Sequence, residues 1–346
     1  MTPPRPITSS TLLWSTPTTT KRLSPSCQQV LEETFTDHAA QIVIRSCLAD
    51  SQLYPIISGH KCNKVALCPS SLWADMALTV GAYIWETLRP KTELPGLNVC
   101  DMESHKGFIV QLPQVQPGQF VELEADAQLE GDGGVVRCQW RSVNPDGTKI
   151  ADHASCLVRY ENQDAWRHEL SRIAHMVRTS IKDLQQRALT GKATRMQSGL
   201  AYKVFETFVT YSNKYRGMNE VIFDGLEGCA TLEFKTSEAD YTMPFHIDNS
   251  CHLSGFLCNA SDLDGDDVYV SEGWEGLKCL KSDLFTSTSQ PKMTKYVMMQ
   301  PRARGILQGD VYVLLDGDVV AVWEGLEFKR LPRRVVNIFL PPPKTT

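Results

Sequence analysis

The stretch SGHKCNKVALCPSSLWADMAL, residues 58–78, sets a histidine in a glycine-led loop and then a run almost free of charge. Pro69 suits the first turn of a helix, where its missing N–H costs no hydrogen bond. From there Leu72, Met76 and Val80 recur at four-residue spacing, and Ala77, Ala82 and Ile84 cover the other sides. Only Asp75 and Glu86 carry charge between Pro69 and Leu88. A helix apolar nearly all round belongs in an interior, so His60 stands at the mouth of a buried segment.

Working outward, QIVIRSCL (41–48) precedes the histidine loop as a β-branched strand. KGFIVQL, QFVELEADAQLEG, GVVRCQWRSV and KIADHASCLVRY follow the helix as further strands, divided by the turn sequences GDGG and NPDG. Near Ala165 the pattern changes to a charged, amphipathic helix with Trp166, Leu170, Ile173, Val177, Ile181 and Leu184 at three- and four-residue steps. SGLAYKVFETFVTYSNKY continues it, with Leu200, Val204 and Phe208 at helical spacing.

The plan of the first half then repeats. NEVIFDGLEGCATLEF reads as strands and MPFHIDNSCHLSGFLCNAS as a loop entering a mostly apolar helix. DVYVSEGWEGLKCL, KYVMMQPRARGIL, DVYVLLDGDVVAVWEGLEFKRL and RRVVNIFL read as the closing strands. The order implies an α+β chain with internal duplication. The division reads as a linker at 1–20, a first half at 21–165, a connecting helical segment at 166–199, a second half at 200–340 and a linker at 341–346, both ends being rich in Pro, Ser and Thr.

With 346 residues, 42% hydrophobic and 22% charged, the composition is that of a globular protein, and a formal net charge of -5 argues against nucleic acid or an anionic membrane as a global partner. Eleven scattered cysteines without a CxxC pair read as reduced thiols of a cytoplasmic protein. DLDGDD (262–267) lacks the glutamate of a calcium loop, Gly273 standing in its place, and reads as an acidic turn. GxSxG, GxGxxG and HExxH are absent, which leaves no metal or nucleotide motif.

Of eight histidines, His38, His105, His153, His168 and His175 fall in surface or strand patterns, and His246 lies in the second loop. His60 can be a loop histidine bonded to backbone or a base. Asp248 holds the matching place before the second buried helix, where an N-terminal cap is a sufficient explanation, and His252 lies one turn further on the same face.

The pairing adds a third observation. His60 and Pro69 fit HxxxGxxxxP except that Lys64 replaces the glycine, and Asp248 with His252 fits Dxxx(Q/H). One motif in each half, in this order, resembles the dehydratase signatures of polyketide and fatty acid synthases. LCPSSLWADMAL and HIDNSCHLSGFLCN resemble the two motifs of the product template domain of fungal non-reducing polyketide synthases, with Cys62 and Trp73 as further departures.

That resemblance implies a double hot-dog fold, two antiparallel sheets each wrapped around a central helix. It implies His60 and Asp248 as catalytic residues, with His252 and Pro69 supporting them. The activity it implies is aldol cyclisation and dehydrative aromatisation of a poly-β-ketone. The substrate would ride on the phosphopantetheine of an acyl carrier protein, with no consumed cofactor and no metal. The other domains of the synthase would be partners, and a homodimer is compatible with it. A β-hydroxyacyl thioester dehydratase and a non-catalytic structural module are the alternatives. Lys329, Arg330, Arg333 and Arg334 form the densest basic cluster, either a solvated turn between edge strands or a landing site for an acidic carrier.

Overall fold

The computed structural model describes residues 21–111, 119–260, 266–281, 283–287 and 291–342. Strands β1 (Gln29–Phe35) and β2 (Ala39–Cys47) form a hairpin, and the histidine loop comprises α1 (Tyr54–Ser58), β3 (His60–Cys62) and β4 (Val65–Ala66). The buried helix α2 (Ser70–Leu88) is followed by β5 (Gly96–Ser104), β6 (Phe120–Glu130), β7 (Gly133–Val143) and β8 (Lys149–Glu161). Helix α3 (Gln163–Leu189) leads into β9 (Thr194–Gln197), α4 (Ser198–Phe205), β10 (Val209–Tyr211), β11 (Met218–Asp224) and β12 (Glu227–Leu232). The second central helix, α5 (Met243–Ala260), precedes β13 (Asp267–Trp274), β14 (Gly276–Cys279), β15 (Met293–Ala303), β16 (Ile306–Leu315), β17 (Asp318–Pro332) and α6 (Arg333–Phe339).

One continuous sheet runs β1-β2-β6-β7-β8-β5-β13-β17-β16-β15-β12-β11-β9, with β14 on β17. Its first six strands curl around α2 and the rest around α5, and the two helices pack against each other. This is the double hot dog. The seam is the short pairing of β5 with β13, where Gly273 faces Glu103. Gly273 has φ +155°, and a Cβ there would stand 1.7 Å from the Met102 carbonyl oxygen, so only glycine lets the halves close.

α2 is buried through Leu72, Trp73, Ala74, Met76, Ala77, Val80 and Ile84, as its pattern requires. Helix α3 uses one face only: Leu170, Val177 and Leu184 cover Ile222, Leu314 and Val322 on the outside of the second sheet. Each such buried Leu or Val contributes about 1.5–3 kcal/mol, and the Asn162 side chain caps the helix by accepting from Asp164 N at 2.7 Å.

The structure corrects several expectations. RRVVNIFL is helical from Arg333 to Phe339, although β-branched residues favour strands; Pro332 sits at its N-cap and the Arg333 N–H is taken by the Asp266 carbonyl. KGFIVQL forms no strand over its described residues beyond a single bridge of Ile109 to Leu67, because its backbone bonds serve the histidine loop through Ala66 and Cys68. The helix after Ser198 stops at Phe205 and buries Ala201 and Tyr202, while Leu200 is exposed and Phe208 lies in the turn before β10. MPFHIDNS belongs wholly to α5, so Asp248 is inside the helix and cannot be its cap. β1 and β5 were unforeseen: β1 is a mostly exposed edge, and β5 has a bulge at Asp101, φ +52°, that breaks its alternation. Residues 262–265 of DLDGDD and all of 1–20 and 343–346 lie outside the described residues.

Candidate active site

His60 opens β3, where it pairs directly with Tyr211 of β10. Gly59 allows that approach, since a Cβ on it would lie 2.4 Å from Ser212 Oγ. After Cys62, Asn63 (φ +50°) and Lys64 (φ +66°) form the two-residue turn between β3 and β4. Both central positions of such a turn need positive φ, which explains the glycine that the motif places at Lys64. Lysine keeps the turn at a cost of about 1 kcal/mol, and Asn63 anchors it by donating to the Leu340 carbonyl at 2.6 Å.

The orientation of the ring follows from one bond. His60 Nδ1 lies 3.0 Å from the Leu67 carbonyl oxygen. A carbonyl can only accept, so Nδ1 carries a proton, and in the neutral ring the lone pair is on Nε2. That is the tautomer a base needs.

Asp248 is the sixth residue of α5 and is 7% exposed. His252, one turn on, places Nε2 2.5 Å from Asp248 Oδ2 and has no partner for Nδ1 among the described residues. Burial pushes the Asp248 carboxyl up, but His252, His60 and Lys295 outweigh it and hold it below the ordinary carboxylate value. Burial holds His252 down against the pull of Asp248, so the ring stays neutral and donates from Nε2. The bare Nδ1 is then an acceptor without a partner, which costs less than a buried orphan N–H.

Aromatic rings wall this group. Tyr211 packs on His252 at 4.2 Å, and Tyr215 lies 6.0 Å from His60 and 6.2 Å from His252. Asn249 pins the Tyr215 loop, accepting from Gly217 N and donating to the Lys214 carbonyl. The sequence motifs therefore meet: the loop of the first half and the helix of the second bring His60, Asp248 and His252 together. Pro69 is the N-cap of α2 and shapes its start. Tyr211, Tyr215 and Lys295 lie outside both motifs, and Asn249 lies within HIDNSCHLSGFLCN without a role read from it. Two hollows of ≈410 and ≈480 Å³ lie elsewhere, at the β5–β13 seam and beside α3.

A second buried aspartate occupies the corresponding position in the first half. Asp75 is the sixth residue of α2 as Asp248 is of α5, and the Tyr241 hydroxyl, just before α5, lies 2.7 Å from it. Burial pushes Asp75 up to about 7, against hydrogen bonds from Ser26 and Tyr241. Its folded pKa is above the unfolded one, so between pH 4 and 7 the folded state holds a proton that the unfolded state has lost. Stability should fall as pH rises through that window and level off above it. Asp75→Asn should abolish this slope and stabilise the protein at pH 8 by on the order of 4 kcal/mol. Urea denaturation at pH 5 and 8 measures it; a slope unchanged by the substitution would reject the assignment.

The basic cluster is partly neutralised. Lys329 pairs with Glu272 at 2.9 Å and Arg330 with Asp267 at 2.7 Å. Arg333 donates to the Thr207 carbonyl at 2.8 Å, and Arg334 is exposed. The cluster runs from β17 into α6 rather than between edge strands. It borders the histidine loop, because Asn63 also bonds Asn337 of α6.

No family model matches the chain. Among curated proteins it is 49% identical over 331 residues to "Non-reducing polyketide synthase PKS1" of Zymoseptoria tritici and 42% identical over 330 residues to "Non-reducing polyketide synthase Preu8" of Preussia isomera. These matches cover 94% and 93% of this chain, which spans only 15% of the length of either relative. Among solved structures, the dehydratase domain from the CurJ module of curacin polyketide synthase superposes with TM-score 0.65 at 11% identity, covering 91% of this chain and 99% of that one. The dehydratase domain of RzxB from Pseudomonas fluorescens gives 0.61 at 12% identity, over 89% and 100%. Among the described residues no helix is long and apolar enough to cross a membrane. The chain is thus a homologue of one segment of the fungal non-reducing polyketide synthases, and it has the double hot-dog fold of polyketide synthase dehydratase domains.

Proposed function

We propose that this domain is a product template, a cyclase that folds a carrier-bound poly-β-ketone and closes its ring. The observation that carries the reading is the orientation of His60: Nδ1–H is tied to the Leu67 carbonyl, Nε2 is left as a base, and the rings of Tyr211 and Tyr215 lie against both His60 and the His252 that binds Asp248. Methylene protons between two carbonyls are acidic enough for a neutral imidazole to remove. The enolate carbon then attacks a ketone further along the chain, the new alkoxide takes a proton, and loss of water aromatises the ring. Asp248 orients the groups around the base and receives or returns a proton. The aromatic wall of Tyr211 and Tyr215 holds the chain in a near-attack fold, which gives selectivity to a reaction that polyketones undergo unaided.

The dyad chemistry has support from the fold neighbours. In the CurK dehydratase, an aspartate-to-asparagine and a histidine-to-phenylalanine substitution are each described as giving an inactive mutant. Those enzymes also motivate the second reading, dehydration of a simple 3-hydroxyacyl thioester. Incubating the domain with a carrier-bound 3-hydroxyacyl chain separates the two: a cyclase leaves it intact, and stoichiometric water loss favours the dehydratase.

The carrier would dock beside the histidine loop. Arg333 and Arg334, at the start of α6 next to the histidine loop, are the cations to test. Reversing both to glutamate should raise the KM for carrier-bound substrate severalfold, in a salt-dependent way, and leave a small untethered thioester unaffected. Equal effects on both substrates, or none, would remove the cluster from the docking surface.

A further inference from the structure

A tyrosine buried in a protein normally gives its hydroxyl hydrogen to a partner. Tyr160 donates to the Gly81 carbonyl, Tyr202 to the Tyr215 carbonyl, Tyr215 to the Ile56 carbonyl and Tyr296 to the Glu227 carboxylate, all at 2.8–3.1 Å. Tyr211 is the exception. It is 8% exposed, yet its hydroxyl meets no partner among the described residues. Nor is that oxygen closed off from solvent without a bond, as His252 Nδ1 is. The hydroxyl reaches open space instead of a protein group.

The surroundings of the ring are those of the catalytic group. Tyr211 pairs with His60 across β10 and β3, and its ring lies 5.6 Å from His60 and 4.2 Å from His252, which binds Asp248. Phe205 meets it edge-on at 5.3 Å. The Tyr211 carbonyl accepts from Arg216 Nε at 2.9 Å, and the Ser212 N–H goes to the Gly59 carbonyl. Backbone and ring are both held, so the hydroxyl has a set direction before substrate arrives. Burial, with Asp248 adding to it, pushes the phenol well above its ordinary value, and the group stays a neutral O–H donor. Phenylalanine would fill the same space with no polar atom to satisfy.

We propose that Tyr211 is a third catalytic residue, whose hydroxyl donates a hydrogen bond to the ketone oxygen under attack. This role rests on the cyclase reading. His60 Nε2 takes a proton from the methylene carbon, and the electron pair left on that carbon forms the bond to the ketone carbon. The carbonyl π pair moves onto the ketone oxygen, where the Tyr211 O–H meets the growing charge. The proton held by His60 then passes to this oxygen, and the phenol ends as it began. A donor fixed at the oxygen that gains charge stabilises the transition state more than the ground state.

Tyr211→Phe isolates the hydroxyl, because it keeps a ring against His60, His252 and Phe205. Thermal unfolding should be unchanged, since no bond within the protein is lost. With the ketosynthase and carrier domains supplying the chain, kcat for the directed product should fall about 100-fold, with KM for the carrier-bound chain little changed. A ring that only walls the site predicts full activity for Tyr211→Phe and loss only in Tyr211→Leu. An unfolded Tyr211→Phe, or a folded one that raises KM and leaves kcat intact, would overturn the proposal. Full activity of Tyr211→Phe beside an active unsubstituted domain removes this role alone. An unsubstituted domain that directs no cyclisation overturns the cyclase reading and this role with it.

Discussion

His60→Ala is expected to abolish directed cyclisation while the fold persists. The ring is half-buried and, among the described residues, hydrogen-bonds to the Leu67 carbonyl and packs against Tyr211 and Tyr215, so its loss removes one hydrogen bond and two ring contacts rather than a core side chain. The loop is held independently by the β3–β10 pairing and by Asn63. Loss of a positioned general base costs roughly 10²–10⁴-fold in rate, enough for spontaneous closures to dominate the products. Circular dichroism should match the unsubstituted protein. A wild-type product profile from a folded variant would remove His60 from the mechanism.

Asp248→Asn is the second large effect expected. The amide oxygen can still accept from His252 Nε2, so the geometry of α5 should survive, but the negative charge and the proton-accepting capacity disappear. Cyclisation should slow by about two orders of magnitude. If Asp248 served only to end a helix, asparagine would replace it at little cost. Its place in the second turn of α5 already excludes that role. Rates measured in one assay for Asp248→Asn and His60→Ala test the assignment, and an asparagine variant with full activity would refute it.

Much of this site was legible in the sequence because two short spacings encode it. Pro69 to Leu88 has the composition of a helix buried on every side, and His60 precedes it at a fixed distance. Dxxx(Q/H) is an i, i+4 relation, which a helix turns directly into the 2.5 Å contact of Asp248 with His252. The misplaced start of α5 has the opposite cause. His246, Asp248, Asn249 and Ser250 read as a polar loop, yet all four are buried. The Thr236 hydroxyl meets His246, the Gly217 N–H meets Asn249, and Trp323 Nε1 donates to Ser250. Burial of polar groups depends on partners far away in the chain, and local pattern carries no record of them.

The same limit hid Lys295, Tyr211 and Tyr215. Each reaches the site through topology: Lys295 from the middle of the second sheet, Tyr211 by pairing with β3 across the two halves, and Tyr215 through the clamp of Asn249. RRVVNIFL failed differently. Its β-branched composition favours a strand, but β17 ends at Pro332, and the following residues fold as a helix that buries only Val336.

The central claim, that this domain directs the cyclisation of a polyketone, is tested most directly by reconstitution. The ketosynthase and acyl carrier domains of the parent synthase are supplied with extender units, with and without this domain, and the released products are separated and identified by mass spectrometry. The account predicts one dominant aromatic product when the domain is present and a mixture of spontaneous cyclisation products when it is absent or carries His60→Ala. An identical product mixture in all three reactions would contradict it.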